Sequence, residues 1–322
     1  MSRRAMAVIP IAAFALVLSA VPLPYYGEGP GPAREVEPLI HVTGPHLYRS
    51  AGKFVLTSVS FRTLTLPKLI GAWRDPAESV VPESLLVFPG ESQQHADQRS
   101  ISEMDTSKID ATYWVLSLLK GYPKDHGAGA LVEAVGSGCP ADGTLFPGDL
   151  IRSVNGHAIP DVPTLDRVLK GIPTTAPLTV RVSAGGATTD VRLTRRRCGG
   201  LHRAVMGIST VPNFPFDVTI SSGEIGGPSA GLMWSLGLYD LLTPGDLTGG
   251  RTIAGTGTID PAGKVGPIGG VENKIAAAEH AGATAFLVPV DNLAAARTVP
   301  THMRLVPVRT FQDALRYLRG GE

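Results

Sequence analysis

The stretch that decides the fold is Ser221-Ser222-Gly223-Glu224-Ile225-Gly226-Gly227-Pro228-Ser229-Ala230-Gly231, which runs straight into the apolar segment Leu232–Leu242. Thr219 and Ile220 end a β-like run just before it. A glycine-rich loop leading into an apolar helix places Ser229 at a helix start. There, backbone N–H groups lack intrahelical partners and the dipole favours negative charge. Such amides can bind a developing oxyanion. Glycines at 226, 227 and 231 let a substrate backbone approach closely. Gly226, Gly227, Pro228 and Ala230 are therefore the candidate oxyanion and substrate loop. The plainer reading of Ser229 is a helix N-cap without chemistry.

A hydroxyl is a weak nucleophile and needs a base. Gly227-Pro228-Ser229-Ala230-Gly231 fits the G-x-S-x-G elbow of a Ser-His-acid triad, with His280 and His302 the only downstream histidines. That elbow should follow an apolar strand directly, whereas SSGEIGG is polar, and no HGGG-like segment lies upstream. The competing base is Lys274, which follows Gly269-Gly270-Val271-Glu272-Asn273 and precedes Ile275-Ala276-Ala277-Ala278. One turn into a helix and flanked by small and apolar residues, it can lose its proton, because desolvation disfavours the charged form. Upstream, Ile253–Ile259 reads as a strand and tight turn, and the Thr256 hydroxyl could hold the Lys274 amine in line.

At this point a resemblance becomes close. Residues 203–320 resemble the proteolytic domain of the Lon family in the order and spacing of G-P-S-A-G, the T-G segment, G-K-V-x-P-I-G-G, and a Lys four residues beyond. The resemblance implies a Ser-Lys dyad with Ser229 as nucleophile, Lys274 as base and Thr256 as its support. One departure is visible. Many Lon enzymes carry an acid three positions before the Ser, where this chain has Gly226; the nearest acid is Glu224.

Gly129–Arg197 reads as a separate module. Ala130–Val135 is a strand, Gly136-Ser137-Gly138 a turn, and Pro140-Ala141 the start of a short helix. Pro147-Gly148 and Asn155-Gly156 bracket a short apolar strand. Thr164 is placed to cap a helix carrying Leu165, Val168 and Leu169. Leu178–Val182 and Thr189–Leu193 make a hairpin around Gly185-Gly186. The series, with PGDLI and VNG at its centre, resembles a bacterial PDZ domain. Such domains add an extended peptide to a sheet edge beside a helix. The groove-lining strand cannot be assigned, because no carboxylate-binding loop precedes Gly129. Arg195-Arg196-Arg197 reads as a solvated linker, without interleaved aromatics for base stacking.

Towards the N-terminus, Glu91–Lys120 carries apolar residues at helical spacing (Ile101, Met104, Ile109, Trp114, Val115, Leu118) and Lys53–Leu66 alternates as strands do. Glu83–Gly90 is a short apolar segment, and Gly27–Arg34 (GEGPGPAR) reads as a linker. Arg3 and Arg4 precede the apolar run Ala5–Val21. At about 1.5 Å per residue this run just spans a bilayer core. The flanking arginines would keep the N-terminus in the cytoplasm and the rest outside. The competing reading is a cleaved signal peptide, for which Leu18-Ser19-Ala20 is a poor cleavage site. In an oxidising compartment Cys139 and Cys198 either pair or remain two separate thiols.

Composition bounds the rest. The chain has 322 residues, 43% hydrophobic and 18% charged, with net charge +1, which is enough apolar residue for a real core and no electrostatic footprint for nucleic acid. No His/Cys/Asp/Glu cluster has metal-ligand spacing, so no metal is expected. Gly263-Lys264 is followed by Val265 and position 258 is Thr, so there is no P-loop there and no ATP requirement or other cofactor is expected.

The expected architecture is α/β (α+β mixed): a membrane or signal anchor over 1–27, an N-terminal α+β region of unknown role over 28–120, a PDZ-like domain over 121–198 and a Lon-type proteolytic domain over 199–322. The layout resembles membrane-anchored Lon-like peptidases of Gram-positive and actinobacterial cells. It implies an ATP-independent serine endopeptidase acting on unfolded or flexible extracytoplasmic proteins and peptides. A C-terminal peptide ligand for the PDZ groove and a homo-oligomer, hexameric by resemblance, are the other expected partners. The alternative is a catalytically idle membrane scaffold that recruits protein partners through its PDZ domain.

Overall fold

The computed structural model describes residues 19–74 and 78–320. Nearly all of the expected anchor lies outside them; Ser19 and Ala20 are helical. Among the described residues no helix is long and apolar enough to cross a membrane.

The chain begins with β1 (Tyr25–Glu35), β2 (Ile40–Val42), β3 (Lys53–Thr63), α1 (Leu66–Ala72), β4 (Ser79–Pro82) and the long helix α2 (Gln93–Leu119). Next come β5 (Gly127–Val135), β6 (Leu150–Val154), β7 (His157–Ala158), α3 (Val162–Gly171), β8 (Leu178–Ala184), β9 (Ala187–Leu193) and β10 (Ile208–Asn213). The last third holds β11 (Val218–Ile220), α4 (Gly231–Leu242), β12 (Thr252–Gly255), β13 (Thr258–Ile259), β14 (Val265–Gly266), α5 (Val271–His280), β15 (Ala285–Pro289), α6 (Leu293–Ala296), β16 (Arg304–Val308) and α7 (Phe311–Leu318).

Two larger sheets organise this mixed α/β chain. The first has six strands in the order β16-β15-β12-β3-β1-β4. Its centre is parallel, with β12 between β3 and β15, and β15 beside β16. The β1 strand pairs antiparallel with both β3 and β4. Strand residues alternate between two cores, as a pleated sheet covered on both faces requires. Phe54, Leu56, Ile253 and Leu287 face α2, α4 and α7, whereas Val55, Ala254, Phe286 and Val288 face α5. All twelve residues of α4 are buried, which is why that helix is apolar on every side.

This topology corrects the reading of the N-terminal third. Residues 28–120 are not a region apart, because β1 and β3 share a sheet with the strands of the last seventy residues. The β2 strand pairs with β11, immediately before the Ser229 loop. The GEGPGPAR segment is strand β1 rather than a linker. Its register shifts between Pro30 and Ala33, and a bulge is where a strand tolerates prolines that cannot donate to the ladder.

The second sheet, in the order β10-β5-β6-β8-β9 with β7 on β6, is antiparallel throughout and has its own core around Val132, Ile151, Leu165 and Val180. It is inserted between the two halves of the first body. Its last strand lies beyond residue 198, since β10 pairs with β5 from Ile208↔Val135 to Asn213↔Gly127. Cys139 and Cys198 are joined, with Cα atoms 5.4 Å apart. Local details differ from the sequence reading. Pro140-Ala141 sits in turns, not a helix. The α3 cap is Asp161, whose carboxylate accepts from the Thr164 N–H. Arg195 is not a free linker residue: its guanidinium donates to the carbonyls of Leu169, Ile172 and Pro173, so it satisfies the end of α3.

Candidate active site

Three elements of the first body bring three side chains together. The loop after β11 presents Ser229 one residue before Ala230, the N-cap of α4. The turn between β12 and β13 presents Thr256, and the first turn of α5 presents Lys274. Lys274 Nζ lies 2.7 Å from Ser229 Oγ and 3.3 Å from Thr256 Oγ1. The Thr256 hydroxyl donates to the Ser229 carbonyl at 3.0 Å, and Gly257 N–H donates to the same oxygen at 2.8 Å. The Ser229 backbone is thus fixed to the turn that also holds the amine. Ser229 is half-buried, while Thr256 and Lys274 are buried, the lysine only 3% exposed. A reachable hydroxyl rests on an amine that water does not reach.

That burial sets the charge state. Desolvation lowers the Lys274 ammonium to about 8, with the negative charge of Glu28 pulling weakly the other way. A neutral amine within hydrogen-bond reach of a hydroxyl is the geometry a general base requires.

The loop carrying Ser229 is clamped by α2, an element expected only to pack. Gly227 N–H donates to the Ser100 carbonyl at 2.8 Å, and Ser107 Oγ donates to the Pro228 carbonyl at 2.9 Å. A Cβ on Gly226 would collide with Ser100 Oγ. A side chain at position 226, three before Ser229, would therefore have to turn the Ser100 hydroxyl aside and press on α2. Leu232 N–H is committed to the Gly257 carbonyl, so an oxyanion would have to be met nearer the hydroxyl, along the 226–231 loop.

The two histidines stand apart. His280 ends α5, and His302 donates its backbone N–H to Glu279. Sequence reasoning missed Glu28, Ser100 and Ser107. Glu28 was hidden in what reads as a linker, and the two serines in a helix polar enough to pass for solvent-facing. It also left the groove of the second sheet unassigned. There β10 is the edge strand and α3 packs against β5, β6 and β10. The segment before that edge is Met206-Gly207-Ile208, an apolar-Gly-apolar turn with Gly207 at φ 86°.

Residues 216–318 match the family model described as the Lon protease (S16) C-terminal proteolytic domain. That segment is therefore similar to the proteolytic domain of a serine peptidase. It contains Ser229, Thr256 and Lys274. Lon protease 2 of Bacillus subtilis is 30% identical over 138 residues, covering 41% of this chain and 25% of that protein. Lon protease 1 of Myxococcus xanthus is 34% identical over 140 residues, covering 42% of this chain and 16% of its own. The chain thus spans a quarter or less of the length of these relatives. Among solved structures, the PDZ domain of an SdrC-like protein from Listeria monocytogenes is 19% identical, with 26% of this chain and 88% of that one covered and a TM-score of 0.24.

Proposed function

We propose that the chain is an endopeptidase working through a Ser229–Lys274 dyad. The observation that carries this is the 2.7 Å contact between a half-buried hydroxyl and a buried amine whose desolvation brings its ammonium down to about 8. Ser229 Oγ attacks the scissile carbonyl carbon as its proton passes to Lys274 Nζ. Amides of the 226–231 loop other than Gly227, whose N–H is taken by Ser100, and Pro228, which has none, meet the oxyanion. Collapse breaks the C–N bond, the lysine returns the proton to the leaving amine, and an ester remains on Ser229. A water, deprotonated by the same lysine, hydrolyses it. Thr256 orients the amine. No step draws on ATP, and the P-loop pattern G-x-x-x-x-G-K-[ST] occurs nowhere in the 322 residues. The substrates in this reading are peptides and flexible or unfolded proteins.

The inserted sheet is read as a PDZ-type binding module. An extended peptide would add to the free edge of β10 beside α3, its terminal carboxylate at the Met206-Gly207-Ile208 turn. The Ala5–Val21 run is read as a single-pass anchor that leaves both bodies outside the cytoplasm. The intramolecular Cys139–Cys198 bond agrees with that side of the membrane. Assembly into a ring, hexameric by analogy with Lon proteases, completes the reading. The scaffold alternative has no observation in its favour that the dyad geometry does not weaken.

The test is mass spectrometry of products from a peptide library, with wild type, Ser229→Ala, Lys274→Arg, His280→Ala and His302→Ala in parallel. Ser229→Ala and Lys274→Arg lose at least about 10³-fold in rate while staying folded, since guanidinium does not deprotonate in proteins. The two histidine variants keep most activity, and wild-type activity rises with pH around 8. An active Lys274→Arg enzyme would end the dyad reading.

A further inference from the structure

Several large apolar side chains remain exposed on segments tied to the point where the chain enters the first body. The α1 helix and its C-cap carry Leu66, Ile70 and Trp73 at spacings of four and three, one stripe of a helix, and they are 42%, 40% and 74% exposed. Leu85 and Phe88, from the segment after β4, are exposed as well. Backbone hydrogen bonds tie these segments to the point where the chain enters the body. Leu23 N–H donates to the Leu64 carbonyl, two residues before α1, and Glu83 N–H donates to the Pro24 carbonyl, two residues before Leu85. The apolar run Ala5–Val21 ends immediately before that junction, and Val21 is itself exposed.

A helix that turns Leu, Ile and Trp outward has no explanation inside the body, because contiguous exposed apolar surface is uncommon on soluble domains. Its position supplies one. We propose that the Leu66–Trp73 face, with Leu85 and Phe88 beside it, dips into the outer interface of the lipid bilayer next to the anchor. The inference rests on the anchor reading of Ala5–Val21. Trp suits the headgroup level, where an amphipathic ring has one apolar side and one wet edge. Arg74 is exposed next to Trp73 and complements anionic headgroups. The first body is then held by two contacts, one through the bilayer and one upon it. A body so fixed cannot tumble on its tether, and it presents a constant side to the membrane surface.

The chain has three tryptophans, of which Trp234 is fully buried and Trp73 the most exposed. The experiment uses the full chain with phosphatidylcholine/phosphatidylglycerol vesicles, plain or with brominated acyl chains. Vesicle flotation reads the anchor. Tryptophan quenching by the brominated lipid, compared with Trp73→Phe, reads the patch. The expected result is flotation together with quenching that disappears in Trp73→Phe. The pair Leu66→Ser with Ile70→Ser lowers the quenching at least about two-fold and leaves peptide cleavage unchanged. Flotation without Trp73 quenching overturns the patch while the anchor stands. If Trp73 is then also shielded from aqueous acrylamide, a second copy of the chain covers the face instead. Failure of the full chain to float overturns the anchor reading and this inference with it.

Discussion

The two sheets of this molecule are built by opposite rules. The inserted sheet pairs strands that are mostly near one another in sequence, all antiparallel, with β8 and β9 joined by the Gly185-Gly186 turn. The six-stranded sheet joins Lys53–Leu56 to Thr252–Gly255 across the whole insertion, in parallel. The difference teaches where the candidate chemistry comes from. A local sheet can be completed within one stretch of chain. The Ser229–Lys274 pair cannot, because α2 clamps its loop and β1 backs its helix, and both precede the insertion.

The sharpest way to break this comparison is to remove each part in turn. Gly127 and Asn213 are opposite partners in the β5–β10 ladder, so the insertion leaves and returns at adjacent points. Replacing residues 128–212 by a short Gly/Ser link should leave a folded body, with a cooperative thermal transition and cleavage of short peptides. Deleting residues 23–63 removes β1, β2 and β3, two of them from inside the six-stranded sheet, and should abolish cooperative folding and activity together. A truncated chain that still melts cooperatively and cleaves peptides would show that the N-terminal strands are accessory.

Legibility in the sequence followed the same division. Ser229, Thr256 and Lys274 could be picked out because each sits beside glycines and apolar runs at a junction of elements, and the spacing between them is short. The inserted hairpin and α3 were equally readable from Asn-Gly, Gly-Gly and alternation. The β1 strand was not. GEGPGPAR contains every signal of a linker, and only pairing to β3 and β4, with a bulge to absorb its prolines, makes it a strand. Tertiary context overrode local propensity there. Glu28, Ser100 and Ser107 were invisible for a related reason: their partners are set by topology, and no local pattern records them.

A second prediction tests the clamp that crosses between chain ends. Gly226→Ala forces Ser100 and the Ser229 loop apart, and should lower the rate roughly 10–100-fold, since a misplacement of about 1 Å in a positioned group has that cost. Gly226→Ala combined with Ser100→Gly restores the space and should recover most of the rate. Equal loss in the single and double variants would mean that the loop is not positioned by α2.

A third concerns stability. Glu37 is half-buried, and desolvation first, with the nearby Asp240 charge adding to it, raises its carboxyl to about 7. A carboxyl raised in the folded state holds its proton more tightly there than in the unfolded chain. Its stabilising contribution is complete below about pH 4.5 and is lost as pH climbs through 7. Glu37→Gln removes that loss. Urea denaturation should show the variant gaining on wild type between pH 5 and pH 8, by at most about 3 kcal/mol. The inserted sheet offers the control, because its Arg181–Asp190 pair is exposed at the surface and Asp190→Asn should show no comparable pH-dependent gain. A constant difference for Glu37→Gln across that range would mean that the carboxyl does not titrate on unfolding.

The smallest effect is expected where the two chain ends meet at Lys274. Glu28, on β1, is buried, and its Oε1 fills the space that a Cβ on Gly270 would need, at the start of α5. Asn273 donates to the Glu28 carbonyl oxygen at 3.3 Å, so the backbone of β1 is held to the helix that carries the lysine. The Glu28 side chain is the one negative group that opposes the fall of the Lys274 ammonium caused by burial. Glu28→Gln keeps the shape and the Asn273 contact but removes the charge. An anion favours the protonated amine, so its loss should make Lys274 a weaker proton holder. The midpoint of the pH–rate profile should move down from about 8, by on the order of one pH unit or less, with kcat at the alkaline plateau little changed. At pH 7 the variant should therefore be faster than wild type. If the midpoint instead stays fixed while the plateau falls, Glu28 holds the strand in place without acting on the charge of the lysine. If the midpoint rises, the group seen in the profile is not Lys274.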